Sequence, residues 1–171
     1  MKYKQILVLR LFMAFLVIGL GTYFFDLLIY PIIYIIYFLF LPYNPEIIGS
    51  SIIVNNYELL FISSCVASSA YILLSILLLL TKDIDFKKGI KIFLTGFFIL
   101  FFVNILRIFL LGIILIKENI VLFEKLHLLF WDVFSTAFVF LLWLFLIKYY
   151  KIKAIPIYSD FDYLRKRIKI V

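Results

Sequence analysis

The sequence predicts an all-α integral membrane protein: a bundle of four to five transmembrane helices, with a short extracytoplasmic segment before the third apolar run. Three observations carry this prediction. Of the 171 residues, 67% are hydrophobic, where a soluble domain runs near half. The apolar residues come in long unbroken runs, such as 92–116 with Arg107 as its single charge, and not in the interrupted rhythm of a soluble helix. Fourteen of the seventeen basic residues fall in segments between or beyond the runs that can share one side of a membrane. A bilayer core needs about 20 apolar residues per helix. The whole chain, 1–171, therefore reads as a single membrane domain.

The first run, 6–25, begins behind Lys2 and Lys4 and includes Arg10. It has the layout of a signal peptide but runs past the length of a signal core, with no clear small-residue cleavage site, so it reads as a retained signal anchor. Asp26 interrupts it. The next run, 27–41, contains Pro31 and would reach only about 22 Å as a helix. It reads as an interfacial or re-entrant helix, or as a bent continuation of the first span, and this choice separates four spans from five.

The segment 42–64 is rich in turn formers: Pro42, Asn44, Pro45, Gly49, Asn55 and Asn56. Its β-branched stretch 51–61 predicts a short strand or hairpin over the site. A span over 65–80 follows, then a charged loop over 81–91, a span over 92–116, a loop over 117–126 and a last span over 128–147. A basic tail, 148–171, closes the chain.

Orientation follows from the basic residues. The N-terminus (Lys2, Lys4, Arg10), the loop 81–91 (Lys82, Lys87, Lys88, Lys91) and the tail (Lys148, Lys151, Lys153, Arg165, Lys166, Arg167, Lys169) hold fourteen of them, while 42–64 holds none. The positive-inside rule makes that side cytoplasmic. The expected location is the cell membrane, multi-pass, with both termini cytoplasmic and 42–64 outside. Tyr149, Tyr150, Tyr158 and Tyr163 place the tail along the anionic inner leaflet. The net charge of +7 thus reports membrane orientation, and no nucleic-acid partner is expected. A single cysteine excludes an intramolecular disulfide and a CxxC pair. One cysteine and one histidine fall short of a four-ligand zinc site, and no cofactor is expected.

The informative residues are the polar ones, because each is costly inside a bilayer. Arg107 lies nine residues before Ile116, about 13 Å along the helix, at a cost of about 2.5–3.5 kcal/mol by insertion scales. Asn104 lies one turn earlier on the same face. The bland reading pairs Arg107 with backbone carbonyls or with a carboxylate, the candidates being Asp26, Glu46, Glu58, Glu118, Glu124 and Asp132. Cys65 opens the run 65–80. It is either a small apolar filler or a thiol activated at a helix N-terminus, with small neighbours at Ser63, Ser64, Ala67, Ser68 and Ser69. His127, the only histidine, is either interfacial or functional, with Trp131 one turn on as an interface anchor. The charge count brings Cys65, Arg107 and His127 toward the outer side from three different spans. A thiol, an imidazole and a guanidinium can supply a nucleophile, an acid or base, and an oxyanion stabiliser.

The order of Ser64-Cys65-Val66-Ala67, then Asn104-Ile105-Leu106-Arg107-Ile108, then Leu126-His127 resembles the exosortase/archaeosortase family over about residues 30–147. One departure is Val66-Ala67, where many members have a small polar residue and glycine. The resemblance implies a compact cysteine transpeptidase without metal or organic cofactor. Its substrates would be membrane-anchored proteins bearing a C-terminal sorting signal, cut on the outer face and passed to an acceptor, in some archaea thought to be a lipid. Cys65 would form a thioester, His127 would be the acid/base partner and Arg107 would stabilise the oxyanion, with Asn104 in support. The alternative is a non-enzymatic membrane protein, such as an importer's substrate-binding component, in which Arg107 holds an anionic ligand. A structural subunit with Arg107 paired to a carboxylate is the third reading.

Overall fold

The structure, a computed structural model, describes residues 3–82, 84–117, 119–130 and 135–152. The described fold is mostly helical, with one small sheet. The elements run α1 (Tyr3–Asp26), α2 (Ile29–Phe40), a 3-10 turn (Leu41–Tyr43), β1 (Glu46–Ile48), β2 (Ser51–Val54), β3 (Tyr57–Leu60), α3 (Ser63–Val66), α4 (Ser68–Leu79), α5 (Phe86–Ile116), α6 (Ile120–Leu129) and α7 (Ser135–Tyr149).

Two helical stretches are long and apolar enough to cross a membrane: Gln5–Tyr43, which joins α1 and α2, and Phe86–Ile116. Only 28% and 33% of their most apolar windows are buried. A core helix of a soluble protein would be largely covered, whereas most of these apolar side chains are left uncovered by the rest of the fold. The helices α4 and α7 are apolar but shorter.

The segment 27–41 does not double back. Pro31 lies in the first turn of α2, where its missing N–H costs no bond within that helix. The junction is held by Leu28 N–H to Phe25 O at 3.0 Å and Ile32 N–H to Leu28 O at 3.1 Å. The rings of Phe25 and Tyr71 stack, and Tyr71 meets Phe97 of α5. From there α2 proceeds along α5 until Phe40 meets Phe109 and lies 2.7 Å from where a Cβ on Gly112 would be. Together α1 and α2 make one apolar helical stretch, Gln5–Tyr43, with a turn at residues 27–28.

Helix α1 packs mainly along α4. Arg10 donates from Nε to Leu79 O at 2.7 Å, satisfying a carbonyl that the end of α4 leaves unpaired. The core gathers where α4, α5 and α7 meet, around Leu74, Ile92, Val139 and Leu146. Gly96 allows this approach, because a Cβ there would stand 2.7 Å from Leu74 and 2.9 Å from Leu146. Small residues at helix interfaces serve this purpose in membrane bundles.

The expected hairpin forms, with a strand added. The sheet is antiparallel in the order β1-β2-β3, with Val54 opposite Tyr57 across the turn. The turn residues Asn55 and Asn56 have φ of 48° and 67°. Asparagine tolerates that left-handed pair, whose twist suits a two-residue hairpin. Ile52 and Val54 are buried, and Leu59 reaches Gly112, so the sheet sits against the same ends of α2 and α5.

Three boundaries differ from the expected ones. The run 65–80 is two helices, α3 and α4, broken at Ala67. The loop 117–126 is largely helical, since α6 begins at Ile120, where Asn119 caps it by accepting from Leu122 N–H at 3.0 Å. The charged loop 81–91 is shorter, because α5 starts at Phe86. Trp131 and Asp132, within the expected last span, and the tail from residue 153 lie outside the described residues.

Candidate functional site

The break after Cys65 creates the site. Ala67 adopts φ 60°, ψ 38°, a left-handed conformation that costs a residue with a Cβ about 1–2 kcal/mol. It stops the helix and removes the regular donor that Cys65's carbonyl would have four residues on. Two side chains of α5 replace that donor. Asn104 donates from Nδ2 to Cys65 O at 2.8 Å, and Arg107 donates from its terminal guanidinium nitrogen to the same oxygen at 3.3 Å. Both lone pairs of one carbonyl are thereby occupied. The three-residue spacing of Asn104 and Arg107 puts them on one helix face, and this face meets α3.

The thiol points elsewhere. Cys65 Sγ lies 3.5 Å from Leu60 O as its donor, at the end of β3, and the residue is half-buried. Cys65 is the third residue of a four-residue helix and does not stand at the N-terminus of the long helix, as the sequence suggested. A helix that short carries little macrodipole. The charge beside Cys65 comes from Arg107, which lies within electrostatic range of both Cys65 and Tyr71.

Asp26, one of the carboxylates considered for Arg107, has a different task. It accepts from Ser63 Oγ at 2.7 Å and from Ser68 Oγ at 2.8 Å. The end of α1 therefore clips both sides of the α3–α4 break and holds Cys65 between them. The sequence suggested small residues for an open backbone at Ser63 and Ser68; their hydroxyls as anchors were not foreseen. Among the described residues no carboxylate pairs with Arg107. Three buried polar atoms there have no hydrogen-bond partner among the described residues: Arg107 Nε, Asn104 Oδ1 and the Tyr71 hydroxyl. Asn104 is 5% exposed and Tyr71 fully buried. Tyr71 carries no signal in a single sequence, since a tyrosine in an apolar run reads as packing.

Asn104 and Arg107 also line a cavity of about 160 Å³ between α4, α5 and α7. The rest of its wall is nearly all apolar, including Ala67, Leu100, Phe138 and Val139. A polar end on an apolar slot orients an entering group. His127 does not line this cavity. It lies on α6, exposed, with its ring edge-on to Phe123. Among the described residues no hydrogen bond joins it to Cys65 or Arg107. Phe130, three residues on, does line the cavity, so His127 sits about one helical turn beyond it. The structure thus brings Cys65, Asn104 and Arg107 into contact, while His127 lies one turn from Phe130 of the cavity that Asn104 and Arg107 line.

Among the described residues no group of three metal-ligating side chains gathers. Comparison with protein-family models, curated proteins and solved structures returned no match.

Proposed function

We propose that this chain is a multi-pass membrane cysteine transpeptidase of the exosortase/archaeosortase kind. It cleaves C-terminal sorting signals of membrane-anchored proteins outside the cytoplasm and transfers them to an acceptor nucleophile, such as a lipid. The observation that carries this reading is the shared grip of Asn104 and Arg107 on the Cys65 carbonyl, which binds the Asn-x-x-Arg pair to the one cysteine across 39 and 42 residues of chain. The left-handed Ala67 adds support, because the family pattern has glycine there and glycine adopts that backbone without strain.

In this reading the Cys65 thiolate attacks the scissile carbonyl carbon, and a tetrahedral oxyanion forms. The Arg107 Nε–H, which has no hydrogen-bond partner among the described residues, stabilises it. His127 takes the thiol proton and gives it to the leaving amine, the C–N bond breaks and a thioester remains on Cys65. The acceptor then attacks the thioester and restores the thiol. This role requires His127, exposed on α6, to approach the sulfur. Four apolar stretches cross the bilayer, namely α1 with α2, α3 with α4, α5, and the run 128–147, which holds most of α7. Both termini are cytoplasmic and the sheet is extracytoplasmic.

The test is a comparison of C-terminal processing of exported proteins in the native cell between wild type and Cys65→Ala, Arg107→Ala and His127→Ala. Each substitution abolishes processing while the protein still accumulates in the membrane. Full processing by Cys65→Ala would refute the nucleophile. A second reading, an importer component holding an anionic ligand, is favoured by the same guanidinium, which no carboxylate among the described residues pairs, at the end of an apolar cavity. It predicts slow Cys65 labelling that is indifferent to His127.

A further inference from the structure

Strand β3 is an edge strand in the order β1-β2-β3. Its free side can be assigned residue by residue. Antiparallel pairs alternate between those that exchange hydrogen bonds and those that do not. Phe61 N–H donates to Ser50 O at 3.0 Å, so the pairs two and four residues along, Leu59 with Ile52 and Tyr57 with Val54, are bonded ones. Glu58 and Leu60 therefore turn their N–H and C=O groups away from β2. Among the described residues no backbone group of another element bonds to them. Among the described residues, the group that reaches this edge is the Cys65 thiol, on Leu60 O at 3.5 Å. Leu60 is 55% exposed and Glu58 is exposed, so the edge is open to an incoming chain.

A row of outward backbone donors and acceptors specifies its occupant. A helical segment has already used its backbone groups internally. An extended segment offers free groups at every second residue, the spacing of Glu58 and Leu60. We infer that the open edge of β3, at Glu58 and Leu60, binds the substrate as an extended peptide, adding it to the sheet as a fourth strand beside the Cys65 thiol. The inference rests on the reading of Cys65 as a nucleophile. It also couples binding to activation. A peptide N–H that bonds to Leu60 O displaces the thiol from that carbonyl and frees the sulfur for the neighbouring peptide carbon.

The experiment uses the full chain in membranes and two probes with one reactive group. These are acetyl-tetra-alanyl chloromethyl ketone and chloroacetone. Each alkylates Cys65 in one step: the S–C bond forms, the C–Cl bond breaks, chloride leaves and the thiol proton goes to solvent. Rates are read by mass spectrometry of the Cys65 peptide and normalised to a free thiol. The peptidyl probe is expected to react about tenfold or more faster than chloroacetone. Glu58→Pro removes the outward N–H but no backbone bond to β2. It also removes the carboxylate that accepts from Ser51 Oγ at 2.6 Å, a loss that Glu58→Ala reproduces with the N–H kept. Glu58→Pro is expected to abolish the peptidyl advantage, with the chloroacetone rate reporting that Cys65 stays in place, and Glu58→Ala is expected to retain the advantage. On the unaltered protein, N-methylation of alternate probe amides abolishes the advantage in one register and spares it in the other. An advantage that survives Glu58→Pro and both methylation registers overturns the inference. So does fast chloroacetone labelling with no peptidyl advantage, which leaves the nucleophile reading intact. If neither probe alkylates Cys65, the nucleophile reading fails and the inference falls with it.

Discussion

The side-chain amide of Asn104 donates to the backbone carbonyl of Cys65 at 2.8 Å. This one bond ties α5 to the break between α3 and α4 and fixes the peptide unit from which the thiol projects. Asn104 is almost fully buried, in a region where water is scarce and each hydrogen bond counts for more than at a surface.

Asn104→Leu leaves the Cys65 carbonyl to Arg107 alone. Losing the bond while burying an under-satisfied acceptor costs about 1–3 kcal/mol. The expected outcome is a lower unfolding temperature in detergent, together with a changed alkylation rate at Cys65. An unchanged rate would show that the carbonyl grip does not set the pose of the thiol.

Asp26→Ala removes the acceptor of both Ser63 and Ser68. Hydrogen bonds to a charged group contribute about 1.5–3 kcal/mol each at the high end, and Asp26 is half-buried. A loss of about 2 kcal/mol is expected. Proteolysis should sharpen at the 63–68 junction first, because the clip acts there. Asp26→Asn keeps an acceptor oxygen and should lose less.

Ala67→Gly relaxes a left-handed backbone and should stabilise the folded protein by about 1 kcal/mol. Thermal unfolding in detergent measures it. Ala67→Val should do the reverse, since a β-branched side chain is poorly suited to positive φ.

The two close-packed glycines should respond differently. A Cβ on Gly112 meets the ring of Phe40 at 2.7 and 3.1 Å, whereas one on Gly96 meets terminal methyls of Leu74 and Leu146. Rotatable methyls can move aside and a buried ring cannot, so Gly112→Ala should cost about 1–3 kcal/mol and Gly96→Ala less. The readout is the ratio of folded to unfolded protein in graded denaturing detergent. Equal losses would contradict the contact geometry.

The legible parts of this protein are local ones. Asn104 and Arg107 could be set on one face by their spacing, and the structure uses them on one face. The hairpin over 51–61 was legible because Asn55-Asn56 is turn chemistry between β-branched residues. The reach of the span 65–80 was not legible, because nothing in an apolar run marks Ala67 as left-handed. Helix α6 was taken as loop because its charges, Glu124 and Lys125, masked a short helix with an asparagine cap. Asp26 was weighed against Arg107 on charge alone, while its actual partners are neutral serines that lie 37 and 42 residues away.

By itself the sequence determined the apolar composition, the long helices and which polar residues needed partners, since these depend on neighbours along the chain. Only the tertiary structure decided what those partners are: the Cys65 carbonyl for Asn104 and Arg107, the Leu60 carbonyl for the thiol and the serines for Asp26. The physical reason is that a buried polar atom is satisfied by whichever group packing brings within 3 Å or so, and packing joins residues that no local pattern connects.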